Sequence, residues 1–169
     1  MLYAAYGSNL HPFRLQQRTP SAKLVGTSAI AHHTLRFHKC GYRDFSGKCN
    51  LVSQHNSIAY IAIYDVPSCE LALLDKAEGA GAGYDRTTLS VEGFGDCLIY
   101  LANAAHVDET LLPFSWYKNL VIAGCEYLRF PSDYVKKVLA LKSVLDPDSH
   151  RHAFHTKLVE QCRGWSSCS

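Results

Sequence analysis

Between positions 79 and 83 the chain reads Gly-Ala-Gly-Ala-Gly, and this run divides what stands on either side of it. Nothing in it is larger than a methyl group, and a helix cannot continue stably through so many glycines. Upstream, Pro67-Ser68-Cys69-Glu70 marks a helix start, with proline in the first turn and an early acidic side chain. Leu71, Leu73 and Leu74 supply its buried side. Downstream, residues 84–91 and 97–101 read as strands joined by Glu92-Gly93-Phe94-Gly95. The run therefore predicts one helix that stops abruptly at Gly79 and hands over to β-structure.

Extending this reading in both directions gives the class. Residues 2–6 are short and apolar and end at Gly7, which suggests a buried strand feeding a tight loop. Pro12 opens a short helix through Arg18. Residues 23–38 read as one long or two short strands, residues 40–50 as an exposed loop, and residues 51–54 and 57–64 as strands around a two-residue turn at His55-Asn56. Three helices follow at 114–123, 132–145 and 151–162, with Gly124 expected as a C-terminal cap and Ser132 as an N-cap. Strands come first, with one inserted helix, and helices come last: the fold class is α+β. A chain of 169 residues fits a single domain over 1–169, with 146–169 a C-terminal helical tail.

The bulk properties exclude several function classes. Hydrophobic residues make up 47% and charged residues 19%, as in ordinary globular domains and unlike disordered chains. The net charge is only +2 and the basic residues are scattered, so no nucleic-acid footprint is expected. No apolar run approaches the ~20 residues that span a bilayer, so no membrane partner is expected. The first residues lack a basic n-region, which places the chain in the cytoplasm. Its seven cysteines form no Cys-x-x-Cys pair and read as free or buried thiols. His32, His33, His38, Cys40, Cys49 and His55 fit no standard zinc spacing, and His152 and His155 lack an evident third ligand. No metal or other cofactor is expected.

Two segments carry candidate chemistry. In Tyr3-Ala4-Ala5-Tyr6-Gly7-Ser8-Asn9 a strand ends in Gly-Ser-Asn. Such an end can turn backbone N–H groups toward one point and receive a carboxylate, although small polar residues also suit a plain strand-to-helix turn. In the second segment Glu78 stands at the helix end, against a run with no large side chains. A carboxylate there meets the negative end of the helix dipole, which favours its protonated form. A glutamate so placed can accept a proton and return it. Alternatively it is a solvated glutamate before a flexible loop.

Taken together, Tyr-Gly-Ser-Asn-Leu at 6–10 and Glu-Gly-x-x-x-Gly-Tyr-x-Arg at 78–86 resemble the γ-glutamylcyclotransferase family, which includes the γ-glutamylamine cyclotransferases. Trp116-Tyr117-Lys118 also fits, and the resemblance covers roughly residues 2–145. It implies a small mixed β-barrel flanked by helices. It further implies that Glu78 is the acid/base residue, that Tyr3, Ala4, Ala5, Tyr6, Gly7, Ser8 and Asn9 line the pocket and hold the glutamyl α-carboxylate, and that Tyr117 contacts substrate. Residues 40–50 and the tail after Asp146 match nothing in the family, and with them the leaving-group side of the pocket stays open.

Two functions are compatible with these residues. One is an enzyme that cyclises a γ-glutamyl group to 5-oxoproline and releases an amino acid, a dipeptide, the ε-amine of lysine or another amine. The other is a non-catalytic module that binds a γ-glutamyl-like ligand or a partner protein. The retained glutamate beside an open Gly/Ala run favours the enzyme. Trp116, Tyr127 and Phe130 suit either a protein-binding surface or, as aromatics more often do, the core. A homodimer is the commonest form if the chain oligomerises.

Overall fold

The computed structural model describes residues 1–165. Five strands form one sheet in the order β2-β3-β1-β5-β4: β1 (Leu2–Ala5), β2 (Lys23–Cys40), β3 (Gly47–Asp65), β4 (Tyr84–Val91) and β5 (Gly95–Ala102). β1 lies at the centre. It pairs antiparallel with β3 (Tyr3 opposite Tyr64) and parallel with β5 (Tyr3 opposite Leu98). Tyr3, Ala4 and Ala5 are buried because the strand has a neighbour on each edge. The helices are α1 (Pro12–Gln16), α2 (Leu71–Glu78), α3 (Ser115–Tyr127), α4 (Ser132–Ala140) and α5 (Ser149–Gly164). The class is α+β with a mixed sheet, as expected. The expected barrel is not hydrogen-bonded shut, since β2 and β4 remain edges; the Phe94 ring of the β4–β5 turn lies against Gly26 of β2 instead.

Several local expectations are corrected. His55-Asn56 is not a turn: β3 runs through it without a break. Ala31 pairs with Ile58 and His33 with Ser53, so residues 54–57 bulge opposite His32. His32 and Asn56 take φ near +58°, which relieves the mismatch locally. The true β2–β3 turn lies at 41–46. There the Phe45 N–H donates to the Gly41 carbonyl and the Gly41 N–H to the Ser46 carbonyl, and Asp44 accepts from Lys48 and Ser46, so the segment is not simply an exposed loop. Gly124 does not cap a helix. It sits inside α3, where a Cβ would lie 2.5 Å from the Leu10 Cβ, so its missing side chain lets the loop after β1 pack against the helix. Pro131, not Ser132, occupies the cap of α4, which ends at Ala140. Leu73 faces out of α2, while Leu74 is fully buried.

The tail is a packed element. Asp148 caps α5 by accepting from the Arg151 N–H. Arg151 Nε and Nη2 each lie 2.6 Å from the buried Asp146 carboxylate, and Trp116 Nε1 donates to the same group at 2.8 Å. This clamp fixes α5 against α3. Trp116 and Phe130 are core residues and Tyr127 is half-buried, so they form no exposed aromatic surface. Positions 166–169 of the expected tail lie outside the described residues.

Candidate active site

The Gly/Ala run is ordered by tight turns. Gly79 takes φ +67° and closes α2 on the Asp75 carbonyl, which strands Glu78 at the last helical position. The Gly81 N–H then bonds the Tyr84 carbonyl, and the Ala82 N–H the Gly79 carbonyl. The arginine and tyrosine of the second motif hold this corner together. Arg86 pairs with Asp75 at 3.3 Å, Tyr100 donates to the same carboxylate, and the Tyr84 hydroxyl donates to the Cys49 carbonyl.

Glu78 faces the end of β1. Its Oε1 accepts from Tyr3 Oη (3.5 Å), from Asn9 Nδ2, and from Arg18 Nη1 (3.3 Å). Arg18 also donates to Asn9 Oδ1 at 2.9 Å, which orients that amide. All three donors converge on one oxygen; Oε2 accepts from no described residue. The carboxylate is thus anchored through one oxygen and open through the other.

Above it lies a cleft of about 900 Å³, which shares Ser8, Glu78, Tyr84 and Tyr117 with a narrow inner crevice of about 20 Å³. The crevice is walled by tyrosines. Burial holds the phenols of Tyr3, Tyr6, Tyr84 and Tyr117 well above their ordinary values, and the Glu78 charge adds to this, so they remain hydroxyl donors. Tyr6 donates to the Tyr100 carbonyl, while the Tyr117 hydroxyl accepts from the Cys49 N–H at 3.2 Å.

Of the residues expected at the site, Glu78, Tyr3, Tyr6, Gly7, Ser8, Asn9 and Tyr117 meet at the crevice. Ala4 and Ala5 do not: their side chains are wholly buried, their backbones pair with Ile63 and Ala62, and they line neither cavity. Among the described residues no group accepts from the N–H of Gly7, Ser8 or Asn9, whereas the Leu10 N–H closes a turn on the Gly7 carbonyl. Free donors therefore border the crevice. Gly7 is glycine for reasons of space, since a Cβ would lie 2.9 Å from the Cys49 Cβ.

The basic residues that are scattered along the sequence converge in space. Arg14, Arg18, Lys39, Arg43, Lys48, Lys76 and Arg151 all line the cleft, against only Asp44 and Glu78. Sequence reasoning missed them, although one signal was present. In the sequence Leu35, Phe37 and Lys39 follow one another at every second position, and all three are buried, so a lysine stands where the pattern calls for a core residue. The 41–46 turn and the tail after Asp146 add Tyr42, Asp44, Arg151 and His155 to the lining of the cleft.

Residues 59–138 match the model of the AIG2-like family. This part of the chain is similar to the AIG2-like family, and the chain has a γ-glutamylcyclotransferase-like fold. The similar solved structures include one described as γ-glutamyl cyclotransferase (21% identity, 95% of this chain and 98% of that chain covered, TM-score 0.82). Others are the uncharacterised protein loc79017 from Homo sapiens (19%, 94% and 97%, 0.75) and YkqA from Bacillus subtilis (20%, 85% and 55%, 0.70). No curated protein sequence matches the chain. The likeness of fold to that γ-glutamyl cyclotransferase covers 95% of the chain and so reaches beyond residues 2–145 into the tail after Asp146. No described helix is long and apolar enough to cross a membrane.

Proposed function

We propose that the chain cyclises a γ-glutamyl group to 5-oxoproline and releases the attached amine, with Glu78 as the acid/base residue. The observation that carries this reading is the half-anchored carboxylate: Glu78 is fixed through Oε1 by Tyr3, Asn9 and Arg18, while Oε2 is left open where the cleft meets the crevice.

The glutamyl α-carboxylate takes the free N–H groups at Gly7, Ser8 and Asn9, and Tyr117 borders the folded glutamyl chain. The α-nitrogen attacks the γ-carbonyl carbon. A carbon–nitrogen bond forms to close the five-membered lactam, and the bond from that carbon to the leaving nitrogen breaks. Between ammonium and lactam the attacking nitrogen gives up two protons, and the leaving nitrogen takes up two as it departs as an ammonium. Oε2 passes them in turn, so no water is consumed and no covalent enzyme intermediate is formed. Holding the ends together supplies much of the rate, since oriented intramolecular reactions reach effective molarities of ~10⁵ M or more.

The test is 5-oxoproline release from a panel of γ-glutamyl conjugates, with Glu78→Gln alongside. Gln keeps an oxygen for Asn9 and Arg18, so the variant should fold and bind while turnover falls by about 10²–10⁴. Full turnover by Glu78→Gln would end the mechanism. The binding-module reading requires ligand binding without any release.

A further inference from the structure

The cleft holds more positive charge than its acids match. Arg18 pairs with Glu78 at 3.3 Å, Lys48 with Asp44 at 2.7 Å, and Arg151 with Asp146 at 2.6 Å. Among the described residues Arg14 and Lys39 have no acidic partner, and both are withdrawn from water. Lys39 is only 4% exposed. Its Nζ stands 4.7 Å over the Tyr84 ring and so close to Gly83 that a Cβ there would lie 2.7 Å away. Arg14 keeps a buried Nε that donates to nothing. Burial draws the Lys39 ammonium down, and burial together with neighbouring Arg18 draws Arg14 down to about 10. A desolvated, unpaired cation is costly, and a ring face returns little of that cost. Neither residue has a part in the cyclisation.

We propose that the leaving amine is a dianion, a dicarboxylate or a phosphate monoester, whose charges are met by Lys39 and Arg14. This rests on the cyclotransferase reading, in which the glutamyl α-carboxylate is already held by backbone donors and the side-chain cations are left for the other end of the substrate. Lys39 reaches the cleft beside the loop that follows Glu78, and Arg14 reaches it from α1. A single carboxylate would leave one of the two unmatched. A cationic amine would be repelled by both. His155 lines the same cleft and stays neutral down to about pH 4, because it is buried and flanked by Arg14 and Lys48. It adds no charge, but its unpartnered Nδ1 offers one more hydrogen bond.

Four conjugates test this: γ-glutamyl-glutamate and γ-glutamyl-phosphoethanolamine as dianions, γ-glutamyl-glycine as the monoanion, and γ-glutamyl-ethanolamine as the neutral control. The better dianion should exceed the glycine conjugate in kcat/KM by about tenfold, and the ethanolamine conjugate by about a hundredfold, as one and two charge-assisted contacts provide. Which dianion wins tells carboxylate from phosphate. Lys39→Met should raise KM for the dianions more than for the ethanolamine conjugate. Equal kcat/KM for the dianions and the ethanolamine conjugate overturns the proposal while leaving the cyclotransferase reading intact. If none of the four is cyclised, that reading fails for this panel. Calorimetric Kd values then decide the anion site by the same tenfold criterion, and equal affinities sink it.

Discussion

Replacing Asp146 by alanine should unfasten the tail from the cleft. The carboxylate is buried and holds four groups: Arg151 Nε and Nη2 at 2.6 Å each, Trp116 Nε1 at 2.8 Å and the Asp148 N–H at 2.9 Å. Its loss orphans the indole N–H inside the core, at about 1–3 kcal/mol. The Arg151 side chain is 29% exposed and can turn toward water, which limits its own cost. The total falls at about 3–5 kcal/mol, the range for removing one partner of a buried pair. For a domain of this size that is a melting-temperature drop of roughly 6–20 °C. Asp146→Asn keeps an acceptor for Trp116 and loses only the charge, so it should cost about 1–2 kcal/mol. Urea unfolding at unchanged m-value measures both. The linked pH effect has a definite sign. Arg151, then Trp116, hold Asp146 down to about 2, below the ordinary carboxylate value, so the clamp's contribution is full above about pH 4 and is lost as pH falls toward 2. An alanine variant within about 0.5 kcal/mol of the parent, or an asparagine variant as damaging as alanine, would refute this account.

Gly7→Val should raise KM for a γ-glutamyl substrate, because its first side-chain atom would lie 2.9 Å from the Cys49 Cβ and displace the donor loop; an unchanged KM removes that loop from substrate binding. Gly124→Ala should destabilise the fold. Overpacking against Leu10 and the His11 backbone costs about 1–3 kcal/mol, against about 0.5–1 kcal/mol gained in helix propensity; a more stable variant would show that the contact yields. His11 and His155 stay neutral in the folded chain down to about pH 4, chiefly because they are buried, whereas unfolded histidine titrates near 6.5. Unfolding between about pH 4 and 6.5 should therefore take up about two protons, and stability should fall with pH across that window, by up to ~1.4 kcal/mol per pH unit for each histidine. Calorimetry in buffers of differing ionisation enthalpy counts the protons, and a count of zero contradicts the burial argument.

What the sequence disclosed follows from which signals are local. Gly79 and the Gly/Ala run placed the end of α2 at Glu78, because only a left-handed residue closes that turn. β4 was legible over its whole length. The bulge opposite His32 was not, since a polar pair such as His55-Asn56 looks the same in a turn as in a kinked strand, and only the partner strand distinguishes them. Gly124 was misread because a glycine needed for close packing against Leu10 carries the same letter as one needed for a cap. At the site, Glu78 and the Gly7-Ser8-Asn9 turn could be found from contiguous motifs. The cationic wall could not, because Arg14, Lys39, Lys48 and Arg151 come from four separate segments that only the fold brings together.

The irregular pairing of β2 bears on how the molecule keeps to itself. β2 is an edge of the sheet, 18 residues long, and an exposed edge is a template on which another chain can add a strand. Its register breaks between Leu24 and Gly26, between Ala31 and His33, and between Phe37 and Lys39. Its far end is covered where Lys39 bridges Val107 and the Asp108 N–H bonds the His38 carbonyl. The uninterrupted stretches that remain, 26–31 and 33–37, are no longer than the six- or seven-residue segments that stack into fibrils, and the kink at His32 turns one away from the line of the other. Straightening that kink would join the two stretches into one longer edge on which another strand could add.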